Sequence, residues 1–350
     1  MRFGPVPLAA AAGAVLAHSA RAGGRRIAKG TWLGPDEIAA LAAEGIDPVI
    51  VARLDPGDLW EDAAAGRLAA ALVPDPAAAG LAVTAAHTGR VNLKAAGPGI
   101  VELDAGAVLR LNLVDPAITL ATVPQWQRVT EGTLVGTVKI ISYAVAGAAL
   151  AAAEAAARGA IRVRPAVVSG ASLILTAVPG QDPKLNESGA AAVAGRLAAL
   201  GVPMVSVSEV AHETAAIAAA LRAAPGEMVL ILTGSATSDL HDDAPQALRD
   251  AGGRVARFGM PVDPGNLLFH GDLGGRPVIG LPGCARSPAL NGADWVIERL
   301  ACGVAVTDED IAAMGVGGLL KEIPTRPQPR ERRARRGAVP NPRAAVAGDL

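Results

Sequence analysis

Between residues 171 and 302 the chain alternates short apolar segments with longer amphipathic ones, and this alternation restricts the fold more than any other feature. The apolar segments predict strands over 171–178, 203–210, 227–234, 254–260 and 276–283. The segments between them carry apolar residues at helical spacing and predict helices over 187–201, 212–224, 242–253 and 287–302. Strands that alternate with helices of this length form parallel sheets with crossover helices. The pattern therefore predicts an α/β domain over residues 168–305 with a doubly wound, mostly parallel sheet.

The first 160 residues follow a different pattern. Helices are predicted over 34–45, 57–72 and 144–158, and a buried strand over 48–54. Between residues 81 and 143 the chain consists of short β-like runs. Residues 1–160 are therefore predicted to form a mixed α+β N-terminal region, and residues 75–143 within it contain no motif that assigns them a role.

Composition and charge exclude several classes of protein. The 32 Lys and Arg residues nearly balance the 33 Asp and Glu residues, whereas a nucleic-acid-binding protein presents a basic face. No apolar run is long enough to span a bilayer, so we expect neither a transmembrane helix nor a membrane partner.

The two ends of the sequence give further expectations. The apolar run 7–17 consists mainly of Ala and Gly, which is weakly hydrophobic for a signal peptide. The two cysteines fit a reducing compartment, so a cytoplasmic protein is expected. Residues 324–350 are rich in Pro and Arg and are expected to be disordered.

The first candidate binding loop follows the predicted strand 227–234. In a doubly wound sheet, ligands bind beyond the carboxyl ends of the strands, where this loop would lie. Thr233, Gly234 and Ser235 are small, so the backbone can approach a ligand closely, and their amides and hydroxyls can donate to a phosphate. Such clusters are also common in turns, so this loop alone is a weak indication.

A second candidate loop, with Pro282, Gly283 and Ser287, precedes the last predicted helix. A helix N-terminus presents unpaired amides and the positive end of the helix dipole, which suits an anion. Ser287 is predicted either to cap this helix or to contribute to anion binding, and the two roles are compatible. Cys284, between them, is interpreted as an unreactive small residue.

A third loop contains the Pro264–Gly265 turn, which by itself indicates only a change of chain direction. Acidic residues cluster at Asp239, Asp242 and Asp243, before and at the start of the predicted helix 242–253. Capping of the helix start accounts for Asp239 and Asp243.

The order and spacing of these loops resemble the molybdenum-cofactor biosynthesis domain, which molybdopterin adenylyltransferases and molybdopterin molybdotransferases share. The resemblance runs through "LILTGSATSDLHDDAPQALRDAGG" (230–253), "MPVDPGNLLFHGDLGGRPVIGLPG" (260–283) and the helix that follows. Several elements in register are more specific than any single glycine loop.

The resemblance implies a role for each matching residue. Asp242 matches an acidic residue linked to catalysis or to a metal ion. The positions that would bind the pterin phosphate are Thr233, Gly234 and Ser235 in the first loop, Pro264 and Gly265 in the turn, and Pro282, Gly283 and Ser287 in the last loop. The implied ligand is molybdopterin or its nucleotide form, with Mg²⁺ as a further cofactor. Relatives of this type also imply a homodimer.

Departures from the family pattern separate two functional hypotheses. Residues 176–179 read Thr-Ala-Val-Pro, where the molybdotransferases carry carboxylates, and the glycine-rich loop of the related nucleotidyltransferases is absent from the sequence. The favoured hypothesis is a protein that binds molybdopterin and holds its phosphate for a partner enzyme such as a molybdenum cofactor nucleotidyltransferase. The alternative is an enzyme, a molybdopterin molybdotransferase that inserts molybdate with Mg²⁺. A nicotinamide nucleotide is disfavoured, because no Gly-x-Gly-x-x-Gly turn follows a strand.

Overall fold

The computed structural model describes residues 1–320, and its N-terminal part is built from short antiparallel strands. The elements up to residue 53 are β1 (Arg2–Val6), β2 (Val15–Leu16), β3 (Ala20–Ala22), β4 (Arg25–Ile27), α1 (Pro35–Ala43) and β5 (Val49–Arg53). Strands β1, β5 and β2 form a three-stranded antiparallel sheet, and β3 and β4 form a hairpin. They enclose a small apolar core around Leu33, Leu41 and Val51.

The chain from residue 58 to residue 164 forms a second antiparallel unit. Its elements are β6 (Asp58–Trp60), α2 (Glu61–Leu72), β7 (Leu81–Val83), β8 (Arg90–Ala95), β9 (Gly99–Leu103), α3 (Ala105–Asn112), β10 (Ile118–Thr122), β11 (Arg128–Val129), β12 (Leu134–Ile140), β13 (Ala144–Ala146), α4 (Gly147–Ala156) and β14 (Ile161–Arg164). The strands pair as β10-β12-β8-β7, β11-β9-β14 and β13-β6. Leu68 of α2 and Leu93 of β8 lie in the apolar core shared by these elements.

Helix α3 corrects the prediction that residues 81–143 contain only β-like runs. Asp104 caps it, since its carboxylate accepts a hydrogen bond of 2.8 Å from the amide of Ala107. Ala107 and Leu111 are buried four residues apart, as one face of a helix requires. Eight residues are too few for the helical period to stand out against the neighbouring strands in the sequence.

The chain from residue 171 onward forms an α/β unit around one six-stranded sheet. Its elements are β15 (Ala171–Ala177), α5 (Lys184–Ala198), β16 (Met204–Ala211), α6 (Thr214–Ala223), β17 (Met228–Leu232), α7 (Asp243–Asp250), β18 (Arg254–Phe258), β19 (Phe269–Leu273), β20 (Arg276–Leu281), α8 (Gly292–Ala301) and α9 (Asp308–Ala313). The strand order is β16-β15-β17-β20-β19-β18.

The sheet is mixed. Strands β16, β15, β17 and β20 are parallel neighbours, whereas β19 pairs antiparallel with both β20 and β18. Strand β19 is not among the strands predicted from the sequence. It forms a hairpin with β20 through Gly274 and Gly275, both of which have positive φ as a tight hairpin turn requires.

Alternate residues of the central strands enter two different apolar clusters. Leu173 and Leu230 contact the cluster that contains residues of α5 and α8, and Ile174 and Ile231 contact the one that contains residues of α6 and α7. Burial of both faces explains why these strands are continuous apolar runs in the sequence.

Two expectations concern the chain as a whole. No helix within residues 1–320 is both long and apolar enough to cross a membrane. The segment 324–350, expected to be disordered, lies outside the described residues.

Candidate functional site

The loops that are predicted to bind a ligand all lie at the carboxyl edge of the six-stranded sheet. The strands β15, β16, β17 and β20 all end there. Strand β18 runs in the same direction as β20, because each is antiparallel to β19. The loops after β17, β18 and β20 therefore leave the sheet at one edge, which is where ligands bind to sheets of this kind.

Gly234, in the loop after β17, occupies a position where only glycine fits. A Cβ at this residue would lie 2.5 Å from Gln181 Oε1 and 2.8 Å from the carbonyl oxygen of Thr176. The amide of Gly234 donates a 2.7 Å hydrogen bond to the hydroxyl of Thr176. This amide is therefore occupied within the protein, contrary to the expectation that it faces a phosphate.

Of the three predicted binding residues in this loop, Ser235 is exposed, whereas Thr233 is buried. No group of the described chain forms a hydrogen bond with the Ser235 hydroxyl or amide. Both groups can therefore donate to a ligand at the edge.

Asp242 closes the loop and begins α7 as its N-cap. One carboxylate oxygen accepts from the amide of Asp243 at 2.8 Å and the other from the amide of Ser238 at 2.8 Å. Capping was expected for its neighbours Asp239 and Asp243, but the structure assigns it to Asp242. A carboxylate offers about four lone-pair positions, so two hydrogen bonds leave capacity for a further ligand.

His212, Asp242 and Asp243 form a cluster that could hold a metal ion. One potential ligand atom from each lies within 4.8 Å of the others, and Nε2 of His212 is 3.9 Å from Oδ2 of Asp243. The hydroxyl of Thr214 donates to the other oxygen of Asp243. His212 follows β16, thirty positions before Asp242, and no motif in the sequence pairs the two residues.

The imidazole of His212 is oriented by Thr176, the penultimate residue of β15. Nδ1 of His212 lies 2.8 Å from the Thr176 hydroxyl, which also accepts from Gly234. If Nδ1–H donates to this hydroxyl, Nε2 keeps its lone pair on the side of the acidic residues. The hydroxyl of Thr176 thereby connects the loops after β16 and β17 to the end of β15.

The loop after β20 differs from the expectation for Ser287. Residues Gly283–Arg286 form a 3-10 turn, and helix α8 begins only at Gly292. Asn291 caps α8, since its side-chain oxygen accepts a 3.0 Å hydrogen bond from the amide of Ala293. The prediction that Ser287 caps this helix is therefore wrong, and the exposed Ser287 hydroxyl accepts instead from Ala289.

Arg286 joins the loop after β20 to the loop after β17. Its Nη2 donates a 2.7 Å hydrogen bond to the carbonyl oxygen of Thr233. Its Nε is buried and has no hydrogen-bond partner within the described chain. Burial also lowers the pKa of this guanidinium. A cation at this edge that lacks part of its hydrogen bonds is suited to an anionic ligand. Arg286 was not among the binding residues predicted from the sequence.

The Pro264–Gly265 turn has a packing role. A Cβ at Gly265 would lie 2.9 Å from Cα of Gly292, and φ of Gly265 is +148°. The carbonyl oxygen of Pro264 accepts a 2.8 Å hydrogen bond from the amide of Gly292. Both residues are buried, so the turn holds the start of α8 against the loop after β18.

The chain shows limited similarity to known proteins. A family model described as a domain of unknown function (DUF8806) matches residues 5–53. No curated protein sequence matches the chain. Among solved structures, it is similar to the molybdopterin biosynthesis MoeA protein from Pyrococcus horikosii, with 14% identity and a TM-score of 0.30 over 86% of this chain and 75% of that one. At this TM-score the likeness carries no argument about activity.

Proposed function

We propose that the carboxyl edge of the six-stranded sheet binds the phosphate of molybdopterin, or of its nucleotide form, together with a divalent cation. The observation that carries the proposal is the cluster of His212, Asp242 and Asp243 beside the loop after β17. The resemblance of residues 230–302 to the molybdenum-cofactor biosynthesis domain supports the choice of ligand.

The donor set fits a divalent cation. Mg²⁺ is bound in proteins through one or two carboxylates, with water and substrate phosphate completing the octahedron. Asp242 and Asp243 would supply the carboxylates. His212 adds a nitrogen donor, which Mn²⁺ and Zn²⁺ accept more readily than Mg²⁺ does. The bound cation would neutralise phosphate charge at this edge.

The phosphate would be held by groups that have spare hydrogen bonds. Ser235 offers its hydroxyl and amide, and Arg286 offers a buried Nε–H without a partner. A guanidinium recognises phosphate through paired hydrogen bonds that a single amide cannot supply. Gly234, Pro264 and Gly265 then shape the edge rather than touch the ligand.

Two functions remain candidates for this site. In the first, the protein binds the pterin and presents it to a partner enzyme. The lack of carboxylates at residues 176–179 favours this function. In the second, it is a molybdotransferase, and the metal-binding geometry of His212, Asp242 and Asp243 favours this reading. Assembly as a homodimer is a further proposal from the sequence resemblance.

Calorimetric titration of the full chain with Mn²⁺ tests the metal site. We expect Asp243→Asn to weaken Mn²⁺ binding by at least about ten-fold, since ligand and supporting residues of metal sites have effects of this size. Asp239→Asn is the matched control, because Asp239 lies in the loop just before α7 but outside the cluster. Equal Mn²⁺ affinities of the two variants would contradict the metal site.

Anaerobic titration with molybdopterin and with its adenylylated form tests the ligand. We expect binding that weakens when Arg286 is replaced by Lys, because Lys lacks the planar set of donors. A molybdate-dependent turnover assay on the same samples separates carrier from enzyme. The proposal fails if neither pterin binds at any metal concentration.

A further inference from the structure

A cavity of about 720 Å³ lies between the loop before β11 and the helices α8 and α9. Its size is within the range that small-molecule sites occupy in proteins. Pro124–Arg128 form one wall and residues of α8 and the α9 region form the other. Within the described chain, Leu290 is its single lining residue from the loops at the carboxyl edge, so the cavity is separate from the phosphate site.

Trp126 and Trp295 line this cavity. The sequence contains four Trp, one Tyr and three Phe, so a quarter of its aromatic residues face one space. Trp126 has a φ of +65°, which a bulky residue rarely adopts, and its amide is fixed by a 2.6 Å hydrogen bond to the carbonyl oxygen of Val101. Strained backbone of this kind is found where it positions a side chain for a ligand.

Glu298 brings a carboxylate with unused acceptor positions to the same cavity. The residue is 5% exposed, and its ion-pair partner is Arg128, with 3.4 Å between Nη1 and Oε1. Apart from this ion pair, no group of the described chain forms a hydrogen bond with the Glu298 carboxylate. Buried carboxylates ordinarily accept several hydrogen bonds, because losing water without replacement is costly. Burial accordingly raises the pKa of Glu298 to about 7.

The hydrogen-bond donors that the Glu298 carboxylate lacks indicate what kind of ligand would fit the cavity. A carboxylate accepts two parallel hydrogen bonds from adjacent N–H groups, and a planar ring offers its face to tryptophan. We infer that this cavity binds a planar nitrogen heterocycle with adjacent N–H and NH₂ donors, the edge that guanine and pterin share, with Glu298 as acceptor and the tryptophans against the ring. The inference stands on residues outside the proposed phosphate site, so either can fail alone.

Calorimetric titration of the full chain with guanosine and with pterin tests the inference, and inosine is the control ligand. Inosine lacks the exocyclic amine and therefore one donor to Glu298. We expect guanosine or pterin to bind, and inosine to bind at least about ten-fold more weakly than guanosine, since hydrogen bonds to charged groups are worth that much. If neither guanosine nor pterin binds, or if guanosine and inosine bind equally, the inference is overturned.

A variant pair tests the assigned acceptor. Glu298→Gln should weaken guanosine or pterin binding by about ten-fold or more, because one acceptor oxygen becomes a donor. Glu309→Gln makes the same chemical change on α9 at an exposed residue that does not line the cavity, and it should bind as the unmodified chain does. If a folded Glu298→Gln protein bound guanosine and pterin as tightly as the unmodified chain, Glu298 would not be the acceptor. The inosine comparison needs no variant and holds if this one does not fold.

Discussion

Four residues would carry the proposed site at the carboxyl edge. Asp242 and Ser235 lie in the loop after β17. Arg286 comes from the loop after the neighbouring strand β20 and donates to the carbonyl oxygen of Thr233 in that loop. His212 follows β16 and lies beside Asp243 at the start of α7.

Glu298 should make stability depend on pH. Its pKa is raised from 4.5 to about 7 by burial, so the folded state keeps a proton that the unfolded chain has released. Stability from this group is full below the unfolded pKa, falls as pH rises from 4.5 toward 7, and is lost above that. The loss amounts to about 2.5 kcal/mol between pH 5 and pH 8, at 1.36 kcal/mol for each pKa unit.

Urea unfolding of the unmodified chain and of Glu298→Gln at pH 5 and pH 8 checks this prediction. The charged or titratable groups near Glu298 are Arg128, Arg196, Asp294, Arg299, Cys302 and the cavity residue Asp310. His270 acts in the opposite direction, because burial lowers its pKa and stability falls as pH drops. The variant therefore isolates Glu298, and an identical pH dependence in both proteins would refute the prediction.

At the scale of elements, the start of α8 shows that a pattern of apolar residues can place a helix boundary several residues too early. The apolar spacing from residue 287 onward is compatible with a helix from that point. The chain instead makes a 3-10 turn and begins α8 five residues later, where Asn291 and Asp294 form a capping box. The contact of Gly292 with Pro264 fixes that point from another part of the chain.

Two alanine variants separate these boundaries. Asn291→Ala should lower the free energy of unfolding by about 1–2 kcal/mol, because the cap of α8 is lost. Ser287→Ala should change it by less than about 0.5 kcal/mol, since the hydroxyl is exposed and caps no helix. Chemical denaturation of both proteins measures the difference. A larger loss of stability in Ser287→Ala than in Asn291→Ala would contradict a start of α8 at Gly292 and support one at residue 287.

At the scale of the whole molecule, the N-terminal part contributes directly to the core of the α/β unit. Ile100 of β9 is fully buried in the same apolar cluster as Leu173 and Val296. Arg128 of β11 pairs with Glu298 of α8 across the same boundary. These contacts unite segments that differ in pattern along the sequence.

Ile100→Ala therefore should destabilise the α/β unit although the residue lies outside it. We expect a loss of about 2–5 kcal/mol, the usual cost of removing a buried aliphatic side chain. The matched control is Ile141→Ala, because Ile141 is exposed. Unfolding followed by fluorescence of Trp295 in a protein without the other tryptophans reports on the α/β unit alone. No shift of this transition in Ile100→Ala would contradict the shared core.

The sequence by itself determined five of the six strands of the α/β unit, four of its helices and the loops at its carboxyl edge, because buried strands and crossover helices leave distinct periods in the pattern of apolar residues. It did not determine β19, α9, the start of α8 or helix α3, since short elements and tight turns carry little periodicity.

Only the tertiary structure brought His212 and Arg286 to the edge and Glu298 to a cavity with two tryptophans. Strand order decides which loops meet, and packing between distant segments decides which polar groups lose water. Neither can be read from the spacing of residues within a short segment of the sequence.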